Sequence, residues 1–209
     1  MVGHGVLREC LLDPDVESVL SVARGVTGQQ HAKLRELVQS DFFHFQDAGA
    51  EFAGLDACFF CLGVSSSGMS EAAYQHVTYD MTMAAAEALV KLNPAMTFIY
   101  VSGTGTDSSE KGRVMWARVK GKTENALLRL PFKAAYLFRP GVIQPLHGIT
   151  SKTRSYRILY RLTGPMLPLL KAIFPDYITT TEQVGHAMLK VAKAGFPKPF
   201  LENKDINSL

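Results

Sequence analysis

The apolar positions of the chain alternate between strand-like runs and helix-like stripes. The run Thr97–Val101 is β-branched and aromatic, which is the composition of a buried strand. A loop of glycine and hydroxyl residues follows it, from Ser102 to Thr106. From Val114 the apolar residues recur at helical spacing and stop near Leu130-Pro131. This part of the pattern predicts a strand, a loop and a helix in that order.

The same alternation runs through the rest of the chain, so we predict an α/β fold. Strands that alternate with helices form parallel sheets with both faces covered. We expect helices up to Leu12, from Ser70 as N-cap to about Leu92, and after Thr181. The other predicted elements are a strand at Val19–Arg24, a third apolar element at Leu34–Phe45, strands at Leu55–Gly63 and Ala134–Phe138, and a short edge strand within Phe196–Leu209.

Composition narrows the class of protein. A chain of 209 residues is long enough for one domain with a sizeable core, so we expect residues 1–209 to form a single domain. A formal net charge of +3 is too small to indicate a nucleic-acid partner. Three cysteines do not make a disulfide framework and fit a reducing cytosol, so a cytoplasmic location is expected. We assign no residue to a metal.

Cys58 and Cys61 form a C-x-x-C pair within the predicted strand Leu55–Gly63. Such a pair can be redox-active when it opens a helix. On a strand, however, residues three apart point to opposite faces. The strand interpretation is therefore favoured over a redox site.

Ser102 is followed by a helix that carries Trp116 and, four residues later, Lys120. This arrangement resembles the active-site segment of the short-chain dehydrogenases/reductases, in which a serine precedes Tyr-x-x-x-Lys. The order of elements resembles the atypical, TIP30-like and epimerase-like branch over nearly the whole chain. The resemblance implies a Rossmann-like, doubly wound parallel sheet. The chain departs from the family pattern at Trp116, which stands where the catalytic tyrosine is expected.

The resemblance also implies roles for these residues. Ser102 would hydrogen-bond the substrate oxygen, and Lys120 would hold the nicotinamide ribose. Trp116 cannot replace tyrosine as the acid, because an indole N–H is a donor without an accessible ionisation. A water relay, or a tyrosine from elsewhere such as Tyr74 or Tyr156, could deliver the proton instead.

Arg24 ends the second strand of the expected fold, where an arginine accommodates the 2′-phosphate of NADP and an acidic residue would select NAD. NADP is therefore the expected cofactor, with NAD possible; the alternative is a solvated surface arginine. The resemblance implies further cofactor contacts near the adenine, under the loop after the next strand, and beside the nicotinamide. The corresponding residues are Asp41, Gly63, Val64, Pro140 and Gly141.

The chain opens on the first predicted helix, whereas a dinucleotide-binding fold normally opens on a strand and a glycine-rich turn. Aligned with the family pattern G-x-x-G-x-x-G, Gly3 would be the last of the three glycines. We therefore expect the first strand of the fold to be missing from this chain. The alternative is that His4-Gly5 is a frayed terminus.

Residues 144–181 differ in character from the rest. Arg154, Arg157 and Arg161 recur at roughly helical spacing among apolar residues, and prolines interrupt the apolar run that follows. That run is too short to span a bilayer. We interpret the region as a lid over the substrate pocket, with a membrane-surface element or plain packing as alternatives.

Two functions from different classes follow from these residues. The first is an NADP-dependent oxidoreductase or epimerase-like enzyme with altered proton delivery, acting on an unknown small carbonyl or hydroxyl compound. The second is a non-catalytic dinucleotide-binding sensor or scaffold protein. Both functions remain possible because Trp116 stands at the position of the catalytic tyrosine.

Overall fold

The computed structural model describes residues 1–149, 174 and 176–209, which fold into two compact units. The first unit comprises Met1–Ser40, Pro140–Ala194 and Glu202–Leu209, and the second comprises Asp41–Arg139 and Gly195–Leu201. In chain order the elements are α1 (Val2–Leu12), β1 (Val19–Ala23), β2 (Leu34–Val38), β3 (Ala57–Phe60), α2 (Glu71–Gln75), α3 (Met81–Leu92), β4 (Thr97–Val101), α4 (Met115–Leu127), β5 (Ala134–Arg139), β6 (Val142–Gln144), β7 (Ile178–Thr180), α5 (Thr181–Ala194), β8 (Phe200–Glu202) and α6 (Asn203–Asn207).

The first unit contains two pairs of parallel strands, β1 with β2 and β6 with β7. Helix α1 packs along α5. Two glycines allow this close approach: a Cβ added to Gly5 would lie 2.7 Å from the Cβ of Thr181, and one added to Gly185 would lie 2.6 Å from the Cγ of Glu9. The two helices bury most of their apolar side chains, among them Val6, Leu7, Leu11, Val184, Met188 and Val191.

The second unit is built on a four-stranded sheet of order β3-β4-β5-β8. Strands β3, β4 and β5 are parallel, with Thr97 opposite both Ala57 and Ala134. Strand β4 is fully buried at Phe98, Ile99 and Tyr100 because it has a neighbouring strand on each side. The loop that begins at Ser102 follows the carboxyl end of this central strand.

Local signals set the helix boundaries as predicted. The Ser70 hydroxyl accepts a hydrogen bond from the backbone N–H of Ala73 and begins α2, and a π-helical turn at His76–Asp80 joins α2 to α3. Asn93 ends α3, and its side chain accepts from the backbone N–H of Leu55 and donates to the backbone oxygen of Phe52. At α5 the Thr180 hydroxyl accepts from the backbone N–H of Gln183, so it caps that helix.

Two predicted elements differ from the structure, and one helix was not predicted. The element expected at Leu34–Phe45 ends as a strand at Val38, and Phe42 and Phe45 pack with Phe52 in an aromatic cluster instead. Strand β3, predicted within Leu55–Gly63, is shorter than predicted and buries only Phe60 fully, because it lies at the edge of its sheet. Helix α6 was not predicted; it follows the predicted edge strand, which is β8.

Part of the predicted lid region, together with Tyr156, lies outside the described residues. In the described part of the chain, no helix has the length and apolarity that a bilayer crossing needs.

Candidate active site

Ser102 extends β4 by one residue, since its backbone N–H donates to the Phe138 oxygen at 2.8 Å. Its side chain is nearly buried, with 8% of the residue exposed. The hydroxyl oxygen lies 2.5 Å from Oε1 of Glu124 and 3.2 Å from the Phe138 oxygen. A serine hydroxyl carries one proton. That proton is directed at the Glu124 carboxylate, so Ser102 is held by the protein itself.

Helix α4 presents Trp116, Lys120 and Glu124 on one face, because residues four apart are neighbours on a helix. The Lys120 ammonium donates to the backbone oxygen of Ser102 at 2.5 Å. The Trp116 ring lies against the loop, where a Cβ added to Gly105 would be 3.6 Å from it. Gly105 has a φ of 87°, which favours glycine. The structure therefore brings Ser102 and Lys120 into contact, with Trp116 against the same loop.

Glu124 is a fully buried carboxylate, and Arg139 is its cationic partner. The Arg139 Nε donates to Oε1 at 3.0 Å, and its Nη2 donates to Oε2. The guanidinium also lies over the Phe200 ring, 4.7 Å from the centroid. Buried carboxylates need a charged partner and satisfied oxygens, and Glu124 has both.

Lys120 has a pKa lowered to about 8. Burial removes water from the ammonium and lowers the pKa, whereas the negative charge of Glu124 opposes this and raises it. Burial is the larger of the two effects. The side chain therefore exchanges its proton close to neutral pH.

Other hydroxyls on the same loop were not singled out from the sequence. The Thr104 hydroxyl donates to the Arg139 backbone oxygen at 3.0 Å, and Thr104 is exposed. Thr106 is nearly buried and donates to the Gly103 oxygen at 2.7 Å. Thr104 is thus the hydroxyl of this loop that solvent and small molecules reach.

Tyr74 does not offer a ready substitute for the missing tyrosine. It is 2% exposed, and burial raises its pKa above the ordinary tyrosine value. Cys58 is equally unsuited to redox work: burial raises the pKa of its thiol to about 12, and it lies on β3 as predicted.

The residues expected at the cofactor lie in both units. In the second unit, Gly63 and Val64 lie in the exposed loop after β3. Asp41 accepts from the backbone N–H of Phe43 at 2.8 Å and pairs with His44 at 2.6 Å. Their contact with a cofactor stays a prediction.

In the first unit, Gly3 lies in the first turn of α1, and Arg24 directly follows β1. Arg24 is exposed, and among the described residues its guanidinium has no hydrogen-bond or ion-pair partner. Gly141 follows Pro140 and packs closely against Tyr177, the residue before β7: its N–H donates to Asn203 at 2.8 Å, and a Cβ would lie 2.3 Å from the Tyr177 oxygen. That packing is reason enough for a glycine there.

Sequence reasoning missed Glu124 and Arg139, the buried ion pair whose carboxylate accepts a hydrogen bond from Ser102. A signal was present, since Glu124 continues the spacing of Trp116 and Lys120 by one further turn of α4. A carboxylate on an otherwise inward-facing stripe indicates a buried partner.

Comparison with known proteins finds relatives that match part of the chain and solved structures that share its fold. No family model matches the chain. It is 26% identical over 144 residues to "Protein fmp52-2, mitochondrial" of Aspergillus oryzae, covering 68% of this chain and 62% of that protein. It is 30% identical over 103 residues to "Protein HTATIP2" of Rattus norvegicus, covering 49% and 41%. The chain therefore spans less than two thirds of the length of these two relatives.

Solved structures match over nearly the whole chain. An oxidoreductase of the short-chain dehydrogenase/reductase family from Burkholderia thailandensis gives a TM-score of 0.64 at 15% identity, covering 98% of this chain and 88% of that one. A short-chain dehydrogenase from Burkholderia cenocepacia, in complex with NADP, gives 0.65 at 13% identity, covering 99% and 86%. The enzyme WbmF of Bordetella bronchiseptica, in complex with NAD+, gives 0.60 at 15% identity, covering 99% and 73%.

The fold is thus the Rossmann fold of the short-chain dehydrogenases/reductases and epimerases. The resemblance to this group that was read from the sequence is confirmed for the fold.

Proposed function

We propose that this protein binds a nicotinamide dinucleotide and acts as an oxidoreductase or epimerase-like enzyme of the atypical short-chain dehydrogenase/reductase type. Its substrate would be a small carbonyl or hydroxyl compound of unknown identity. The observation that carries the proposal is the contact of Lys120 with Ser102 at the carboxyl end of β4. Ligands of open α/β sheets bind outside that end of the strands. The NAD+ and NADP complexes among the similar structures support this cofactor class.

The residues present fit such a group. In the second unit the half-buried Lys120 amine offers N–H donors to ribose hydroxyls, and in the first unit Arg24 offers an exposed guanidinium suited to a phosphate. We propose NADP as the preferred form, because an arginine after the second strand of this fold accommodates the 2′-phosphate.

When bound, a reduced nicotinamide dinucleotide supplies hydride to a carbonyl carbon. The carbonyl oxygen then needs a proton, which Trp116 cannot give. We assign that role to Lys120, whose pKa of about 8 suits a general acid working near neutral pH. The ammonium gives its proton to the oxygen and is left as the neutral amine. Trp116 lies against the loop at Gly105.

A hydroxyl that donates to the substrate oxygen is the second requirement. Ser102 already donates to Glu124, whereas Thr104 is exposed on the same loop. Each hydroxyl would have to release its present acceptor, Glu124 for Ser102 and the Arg139 backbone oxygen for Thr104, and the exposed Thr104 is the second candidate. Comparing turnover of Ser102→Ala with that of Thr104→Val separates them, because the variant that loses more activity has lost the donor.

The test is reduction of an aldehyde and ketone panel by the 209-residue chain with NADPH, measured from pH 6 to 10. The acid form of Lys120 is lost as pH rises, so kcat is expected to fall above pH about 8. Lys120→Arg keeps a cation that does not titrate in this range. It should abolish this pH dependence and lower kcat by about 10²–10⁴-fold. Trp116→Tyr should raise kcat.

Lys122→Ala is the matched control, since Lys122 lies on the same helix over the Tyr79 ring and should leave the profile unchanged. A wild-type rate independent of pH, or an unaltered rate in Lys120→Arg, would place the acid elsewhere. Tight NADPH binding without turnover, in Trp116→Tyr as well, would favour the sensor or scaffold function.

A further inference from the structure

Four side chains with metal-binding chemistry meet in the first unit, apart from the residues discussed above. Glu9 comes from α1, His147 from the loop after β6, and Glu182 and His186 from α5. One ligand atom from each of Glu9, His147 and Glu182 lies within 4.8 Å of the other two. Nε2 of His147 is 2.6 Å from Glu182 Oε2, and Nε2 of His186 is 2.8 Å from Glu9 Oε2.

The backbone is shaped to bring these groups together. Glu182 and His186 are four residues apart on α5 and therefore share one face of the helix. Gly185, between them, leaves the space that the Glu9 side chain occupies. His147 has a φ of 55°, an uncommon conformation for a residue with a side chain. Three separate segments of the chain thus aim polar atoms at one point.

The charges at this point are suited to a cation. Glu9 is only 4% exposed, and Arg8 at 2.6 Å and His186 are its partners. Glu182 adds a second carboxylate. A divalent ion here would be held by two carboxylates and one imidazole, and Arg8 would remain as a further positive charge beside Glu9.

We propose that Glu9, His147 and Glu182 form a binding site for a zinc-class divalent cation, with water in the fourth position. Imidazole and carboxylate ligands suit zinc and its neighbours, and ligand distances of about 2.0–2.2 Å require atoms about 3.4 Å apart in a tetrahedral site. The 2.6 Å separation between His147 and Glu182 would lengthen on binding, and the separations from Glu9, which lie within 4.8 Å, would shorten where they exceed that value. The bound ion takes over the electron pair on His147 Nε2 and displaces the His147–Glu182 hydrogen bond.

His186 acts in this site through Glu9. Its Nε2 donates to the Glu9 carboxylate and orients it, as groups outside the ligand sphere commonly do. His147 and Glu182 are 39% and 37% exposed, so an ion can enter from solvent while Glu9 receives it from the interior. The ion would then link α1, the loop after β6 and α5. This role does not depend on the proposed dinucleotide.

The test uses the full chain, stripped with EDTA and desalted, and titrated with ZnCl₂ by calorimetry and with CoCl₂ by visible absorption. One ion per chain, with a rise in melting temperature, is expected. His147→Ala and Glu182→Gln should each weaken zinc binding by more than about 100-fold. His186→Ala should weaken it by about 10–100-fold, the usual cost of losing an outer partner.

His76→Ala is the matched control. His76 forms a similar pair with Asp80 at 2.9 Å, but among the described residues that pair has no third ligand atom within reach. Zinc affinity of this variant should equal that of the wild type. Circular dichroism of His147→Ala verifies the fold. Equal losses in both histidine variants, no binding below about millimolar zinc, or a cobalt spectrum with thiolate charge-transfer bands would overturn the site.

Discussion

At the scale of single residues, Glu124 links stability to the candidate chemistry. Its carboxylate accepts from Ser102 and Arg139, and it lies one helical turn from Lys120. The negative charge raises the pKa of Lys120, although burial has the larger, opposite effect. A change at Glu124 is therefore expected to free the Ser102 hydroxyl and to shift the proton equilibrium of Lys120 together.

We predict that Glu124→Gln and Arg139→Ala each destabilise the fold by about 3–5 kcal/mol, because each leaves one buried charge without its partner. Urea unfolding followed by circular dichroism measures this. The comparison pair is Arg118 with Glu71. These two side chains are partly exposed, and Nη2 of Arg118 lies 2.6 Å from Oε2 of Glu71. Glu71→Gln should cost far less, because a solvent-exposed ion pair contributes little to stability. Equal costs for the two glutamates would show that burial does not matter here.

Arg24 carries the prediction of cofactor preference. A charge-assisted hydrogen bond to the 2′-phosphate contributes about 1.5–3 kcal/mol, or about 10–150-fold in affinity. Arg24→Ala should lose this factor for NADPH and leave NADH binding unchanged, as measured by calorimetry. Arg129→Ala removes another exposed arginine, just after α4, and serves as the control. Equal affinity of the wild type for NADPH and NADH would contradict the assignment.

At the scale of elements, the pairing of α1 with α5 depends on missing side chains. A Cβ at Gly5 would lie 2.9 Å from the backbone oxygen of Thr181, which cannot swing aside as a side chain can. The two helices are therefore closer than alanine would permit.

Gly5→Ala should accordingly destabilise the protein. Overpacking costs about 1–3 kcal/mol, while alanine gains about 1 kcal/mol over glycine within a helix. Since a rigid carbonyl is the obstacle, we expect a net loss of about 2 kcal/mol in unfolding free energy. Gly49→Ala, where a Cβ meets nothing within 4 Å, should be neutral or slightly stabilising. A stabilised Gly5→Ala variant would show that the helices separate freely.

At the scale of the whole molecule, cofactor binding should appear as heat stability. A ligand at 100 times its dissociation constant adds about 2.7 kcal/mol to the folded state. For a chain of this length that corresponds to a rise in melting temperature of about 5–11 °C. We predict this shift with NADPH and a smaller one with NADH at the same concentration. No shift with either, at millimolar cofactor, would contradict dinucleotide binding.

The order of strands and helices was predictable because apolar runs such as Thr97–Val101 and helical stripes such as that of α4 are local signals. The ends of these elements were less predictable. Phe42 and Phe45 have the composition of a strand, yet they are buried because they pack with Phe52, which follows later in the chain. The resemblance assigned Ser102 and Lys120 to one site, whereas their direct contact is seen only in the structure. The Glu124–Arg139 pair did not, since it depends on how β5 docks against α4.

The α1–α5 pairing also has a consequence for folding during synthesis, because the two helices are made at different times. Glu9 and His186 are 177 residues apart. At roughly 5–20 residues per second, a ribosome needs about 9–35 s to make the chain between them. Throughout that interval the apolar face of α1 has been made, while the helix that covers it has not. During that interval the nascent protein carries Val6, Leu7 and Leu11 without the helix that covers them, which makes α1 the natural place for a chaperone to bind.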